Sequence, residues 1–113
     1  MIMIEKVVLD YLNSVLEYPT YTQEQKNGEK YFYLIQKVGS SVDNKIDTSM
    51  VAVQSYAPSR YEAAEMNYAM IEAMDDIIQL DEIGKCKKNS DYDYTDTSKK
   101  RYRYQALFEI VHY

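Results

Sequence analysis

Ile4, Val7, Val8, Tyr11, Leu12, Val15 and Leu16 recur at three- and four-residue spacing, and Glu5, Lys6, Asp10, Asn13 and Ser14 fill the positions between them. One apolar stripe on a 3.6-residue period predicts an amphipathic helix over about residues 3–17. Pro19 ends it, because the residue before a proline is pushed out of the helical region. The polar stretch 19–30 holds an Asn27-Gly28 turn signal and reads mostly as loop, with room for a short edge strand near Tyr21. Residues 31–38, Tyr31 to Val38, are aromatic and β-branched and predict a strand. Gly39-Ser40-Ser41-Val42-Asp43-Asn44-Lys45 reads as a loop. A second strand over 46–56, centred on Met50-Val51-Ala52-Val53, then completes a long-looped hairpin.

Ala57-Pro58 stops that strand, and Ser59-Arg60-Tyr61-Glu62 has the spacing of a capping box. The Ser59 hydroxyl accepts from the Glu62 backbone N–H in such a box, and the carboxylate reaches back to the Ser59 N–H. The helix it opens runs to about residue 80. Placed at 100° per residue, its apolar side chains span an arc of roughly 220°, about twice what a helix lying on one sheet needs. Tyr61, Ala64, Met66, Tyr68, Met70, Ile71, Met74, Ile77 and Ile78 lie in that arc, and Glu62, Glu65, Glu72 and Asp76 mark the wet face. The excess must meet the first helix, a neighbouring subunit or solvent. Met66, Met70 and Met74 are expected on the flank away from Tyr61 and Tyr68.

Two more strands, about 83–94 and 101–112, follow around the polar loop 95–100. In the last of them Tyr102, Tyr104, Ala106, Phe108 and Ile110 alternate with Arg101, Arg103, Gln105 and Glu109, with Leu107 and Val111 as apolar exceptions on the second face. The order α-β-β-α-β-β predicts a single α+β domain over residues 1–113. Its sheet is antiparallel or mixed, with both helices packed on one face.

Composition adds three constraints. The 113 residues suffice for one domain with a working core, and a single cysteine, Cys86, excludes an internal disulfide. Thirteen tyrosines stand beside two phenylalanines and no tryptophan. Such a tyrosine excess suits half-exposed sheet faces or the centre of a protein interface. The net charge of −5 is unevenly spread: residues 1–84 hold 6 basic and 14 acidic side chains, whereas 85–103 hold 7 basic and 3 acidic. The opening Met1-Ile2-Met3-Ile4-Glu5-Lys6 lacks the sections of a secretory leader, and no apolar run approaches the roughly 20 residues of a membrane span.

Catalytic and metal-binding patterns find no foothold in the sequence. His112 and Cys86 are the only residues of their kinds and sit in no ligand pair, so no metal or other cofactor is expected. Asp91-Tyr92-Asp93-Tyr94-Thr95-Asp96 resembles a calcium loop superficially. Asp96 and Tyr102, however, stand where that loop needs Gly and Glu. A Ser-His-Asp arrangement would have to use His112, next to the last residue given, and no G-x-S-x-G is present. Gly28, Gly39 and Gly84 are too scattered for a phosphate loop. No catalytic residue is assigned, and enzymatic activity is not expected. Cys86 reads as a small buried hydrophobe. Lys99-Lys100-Arg101-Tyr102-Arg103-Tyr104 alternates basic and aromatic side chains as a nucleic-acid strand would, but strand alternation puts Tyr and Arg on opposite faces.

The Ile4-Glu5-Lys6-Val7-Val8-Leu9-Asp10-Tyr11-Leu12 opening, the passage Ser55-Tyr56-Ala57-Pro58-Ser59 into Tyr61-Glu62-Ala63-Ala64, and the closing Arg103-Tyr104-Gln105-Ala106-Leu107-Phe108-Glu109-Ile110 carry a resemblance. With them the chain resembles the small tail terminator, or tail-completion, proteins of long-tailed bacteriophages and prophages, often labelled minor capsid proteins. The resemblance implies a homo-oligomeric ring, usually a hexamer, that caps the head-proximal end of the tail tube. It implies a tail tube protein and a head connector protein as partners, DNA passing through unread, and a place in the virion after synthesis in the bacterial cytoplasm. A protein-interaction module of other origin, or a nucleic-acid binder using the 99–104 hairpin, are the alternatives. The charge split itself points to head-to-tail association, since unlike surfaces make heterologous interfaces that close into rings when the rotation permits. Lys87, Lys99, Arg101 and Arg103 are its basic candidates, and Glu62, Glu65, Glu72 and Asp76 its acidic ones. Met66, Met70 and Met74 are its apolar candidates.

Overall fold

A computed structural model of the chain describes residues 3–23, 29–43, 46–95 and 101–112. Helix α1 (Ile4–Val15) is followed by strands β1 (Thr20–Tyr21), β2 (Phe32–Asp43) and β3 (Ile46–Ala57). Helix α2 (Arg60–Asp75), a 3₁₀ turn (Ile77–Gln79), and strands β4 (Ile83–Asp93) and β5 (Tyr102–His112) complete the chain. The fold is α+β. Its five-stranded sheet has the order β1-β2-β3-β5-β4, with β1 parallel to β2 and the other pairs antiparallel. Strands of 11 and 12 residues at about 3.3 Å per residue account for the 44 Å long axis of the molecule. No described helix is long and apolar enough to cross a membrane.

The predicted stripe of α1 packs inward through Ile4, Val8, Tyr11 and Leu12, whereas Val15 is exposed. The chain is clasped to the helix end by Asn13. Its Oδ1 accepts from the Thr20 N–H at 2.8 Å and its Nδ2 donates to the Thr20 carbonyl at 3.2 Å. That clasp, with Tyr33 N–H donating to the Pro19 carbonyl at 2.9 Å, holds the two-residue β1 in place within a segment that reads as loop.

Gly39–Asp43 corrects the sequence reading. These residues are strand, and pairing runs on through Gly39↔Met50 to Asp43↔Ile46. A bulge between Lys37 and Gly39 absorbs one residue, Val38, which stands half exposed. Gly, Ser and Asp are poor strand formers, but the β3 backbone supplies their partners, and that tertiary context outweighs propensity.

Helix α2 ends at Asp75, and Ile77–Gln79 tightens into the 3₁₀ turn rather than continuing the helix to residue 80. Ala63, Met66, Asn67, Met70 and Met74 form a stripe against the sheet, and Tyr61 and Tyr68 are 75% and 72% exposed. The wide arc thus splits into a core side and a wet aromatic side. Tyr11 of α1 joins the two helices by donating its hydroxyl to the Ala73 carbonyl at 2.7 Å. One face of the sheet, carrying Tyr33, Ile35, Val51, Val53, Ala106, Phe108 and Ile110, shares a single core with both helices. Neither described helix covers the other face.

Candidate functional site

Residues paired across neighbouring strands point to the same face of a sheet. On the face without helices, Phe32, Tyr56 and Arg103 form one row, which Tyr94 extends by donating its N–H to the Arg103 carbonyl. Leu34, Gln54, Gln105 and Tyr92 form the next row. Phe32 and Tyr56 stack with centroids 4.5 Å apart. The Arg103 guanidinium lies over Tyr94 at 4.4 Å and Tyr56 at 5.7 Å; its Nε donates to the Tyr94 carbonyl and its Nη1 to the Tyr56 hydroxyl. A relay then crosses the sheet: the Tyr56 hydroxyl donates to Gln54 Oε1, Gln54 Nε2 to Gln105 Oε1, and Gln105 Nε2 to the Tyr92 hydroxyl. Arg101 sits over both Phe32 and Tyr56. Mutual polarisation along such a network stiffens this end of the sheet.

These contacts give Arg101 and Arg103, both basic candidates for a subunit contact, a role within their own chain. Both are half buried and engaged with aromatic rings of their own chain. Tyr102 and Tyr104 pack against the core on the opposite face, so β5 offers bases no stacking platform. Met66, Met70 and Met74 also need correction as interface residues: they are 5%, 0% and 0% exposed within the single chain, where a second subunit does not reach them. They do lie away from Tyr61 and Tyr68, as the helical period predicts.

Glu65, Glu72 and Asp76 are exposed along α2. Glu62 is half buried and differs from the expected capping box in one respect. Ser59 Oγ accepts from the Glu62 N–H at 3.2 Å, but the carboxylate accepts from the Ser59 hydroxyl at 3.0 Å and from the Tyr31 hydroxyl at 2.9 Å, instead of from a backbone N–H. Lys87 is exposed on β4, and Lys99 lies outside the described residues. Among the described residues the acidic candidates lie on α2 and its end, whereas Lys87 lies on β4, where Lys85 and Lys87 share the face without helices and Lys88 lies on the helix side.

His112 is buried on β5, with Nε2 2.8 Å from Ser49 Oγ. The cleft beside the pair is also lined by Asp47 and Glu5. Nδ1, where a triad needs its orienting carboxylate, has no hydrogen-bond partner. An unpaired buried group of this kind costs about 1–3 kcal/mol. Cys86 is half buried on the core side, and burial, with Asp75 adding to it, pushes its thiol up to about 12. Asp91–Asp93 belong to β4, and among the described residues no group of three or more His, Cys, Asp or Glu could hold a metal ion.

Asp93 fastens the start of α2 to the end of β4. It accepts from the Thr95 hydroxyl and N–H and pairs with Arg60 Nε at 2.8 Å. The Thr95 hydroxyl is the main cause holding its carboxyl below the ordinary value of 3.8, with the Thr95 N–H and Arg60 acting the same way against an opposing push from burial. Stability from a depressed carboxylate is complete above its unfolded pKa and is lost as pH falls through the folded one. Asp93→Asn is therefore expected to lower the urea midpoint near pH 7 but to match the parent protein near pH 2. An equal deficit at both pH values would exclude this role.

No protein-family model matches the chain, and no curated protein matches it. The Tyr18–Tyr31 stack against Glu62 and the rows on the open sheet face escape sequence reading, because both depend on strand register and no short-range signal encodes them. The abundance of tyrosine is their only trace.

Proposed function

We propose that this protein is a structural assembly subunit, a tail terminator of a long-tailed phage or prophage, whose copies join head to tail into a ring at the head-proximal end of the tail tube. The observation that carries the assembly part is the presence of unlike surfaces on one chain. An acidic, tyrosine-bearing α2 with Tyr61, Glu65, Tyr68 and Glu72 exposed lies over the sheet, and a lysine row lies on its outermost strand, β4. Unlike faces on one molecule produce heterologous contacts, and these close into rings at a suitable rotation. The resemblance supplies the phage part: its three segments fall on α1, on the β3–α2 junction and on β5.

Native mass spectrometry at micromolar concentration tests the reading, with a closed ring as the expected species. A monomer that binds DNA in a salt-sensitive way would replace it with the nucleic-acid reading. That reading is the weaker one, because the β5 tyrosines face the core and both arginines are engaged within the chain.

A further inference from the structure

A cleft of about 240 Å³ opens between the end of α1, the start of β2 and the first turns of α2. Small-molecule sites begin at roughly 300 Å³, so this one suits the end of a single side chain. Tyr18, Tyr31 and Tyr33 wall it, and Tyr18 and Tyr31 stack with centroids 5.0 Å apart and planes 16° from parallel. Three carboxylates, Glu17, Glu62 and Glu65, line the same cleft, and among the described residues no basic one does. Tyr31 and Ser59 occupy Glu62, whereas Glu17 and Glu65 are exposed. The phenols register this field. The hydrogen bond to Glu62 raises Tyr31 above its ordinary value, and Glu17 adds to the burial that raises Tyr33.

Aromatic faces beside carboxylates attract organic cations, because ring quadrupole and full charge act in the same direction. Cations of that kind stand on the same molecule, on the opposite edge of the sheet from the cleft. Lys85 and Lys87 are exposed on β4 and share the open face of the sheet, paired opposite Val111 and Glu109. Lys88 is tied to Asp91. The cleft adjoins β2, beside edge strand β1, and β4 is the opposite edge.

Resting on the head-to-tail reading above, we propose that the Tyr18–Tyr31–Glu65 cleft is a socket for an alkylammonium group, supplied by the Lys85–Lys87 row of a second copy. The partner copy completes the site, since the chain presents the socket at one edge and the plug at the other.

Charge reversal in two variants tests this. Glu17→Lys with Glu65→Lys inverts the socket, and Lys85→Glu with Lys87→Glu inverts the row; all four residues are exposed, and matching thermal melts would verify intact folds. Each variant alone is expected to dissociate at a protein concentration roughly tenfold or more above the parent's dissociation midpoint. Mixed in equal amounts, they are expected to restore an even-numbered ring, because the inverted socket of one variant then meets the inverted row of the other, and the unmodified row of the first meets the unmodified socket of the second. Native mass spectrometry reads all three samples. Variants that each assemble like the parent would overturn the socket and leave the ring reading standing. Weakened variants that mixing does not rescue would overturn the pairing of this cleft with this row. A parent protein that stays monomeric would overturn both proposals.

Discussion

Met70→Ala is expected to lower the stability of the folded chain by about 2–5 kcal/mol, the range for removing a long apolar side chain from a close-packed core. Met70 has no exposed surface, and it lies between Met66 and Met74 on the stripe of α2 that faces the sheet. Truncation removes the thioether and leaves a cavity that a helix pinned by Ser59 at its start and by Tyr11 near its end cannot collapse to fill. Urea unfolding at two protein concentrations measures the effect. The loss should be the same at both, because the contact lies within one chain, whereas an interface residue would show a loss that grows on dilution. An unchanged midpoint with a weakened oligomer would return the methionines to the subunit interface.

Arg103→Ala is expected to cost about 1–3 kcal/mol, the scale for hydrogen bonds made by a charged group, discounted here for partial exposure. Its guanidinium donates to the Tyr94 carbonyl at 2.6 Å and the Tyr56 hydroxyl at 2.9 Å while lying over both rings. Tyr56 is 5% exposed, so the change removes the donor that starts the relay through Gln54 and Gln105. Arg103→Lys should recover less than half of the loss, since an ammonium lacks the planar fork that reaches two acceptors and stacks at once. Denaturation of both variants at low and high salt separates this role from a surface charge. A deficit that disappears in high salt would mark Arg103 as an exposed partner for other subunits.

These two residues show how a functional reading changes once register is known. A sequence-based assembly model places Arg101, Arg103 and the methionines at contacts between copies. Within the fold the methionines are buried and both arginines stack on rings of their own chain, whereas Lys85 and Lys87 of β4 and Glu65 and Glu72 of α2 stand exposed. A proposal of complementary surfaces therefore rests on other side chains than the sequence suggests. The cleft at Tyr18 and Tyr31 replaces the methionine flank as the place where affinity would concentrate, since aromatic and charged groups meet there around a concave site.

The sequence by itself determined what depends on neighbours a few residues away. The α1 stripe, the Ser59 cap, the stop at Pro58 and the alternation of β5 are short-range patterns of period 3.6 or 2, and each appears as an element close to its expected bounds. Their order also implied the α+β class. Tertiary structure decided what depends on a partner distant in the chain. Gly39–Asp43 extends because β3 is there to pair with it, and β1 forms because Asn13 and β2 hold two residues of a polar stretch. The wide apolar arc of α2 divides between core and water only when the sheet occupies one side of it. Arg103 meets Tyr56 because β5 lies antiparallel to β3 in one register, and a shift of one residue would put that guanidinium on the core face.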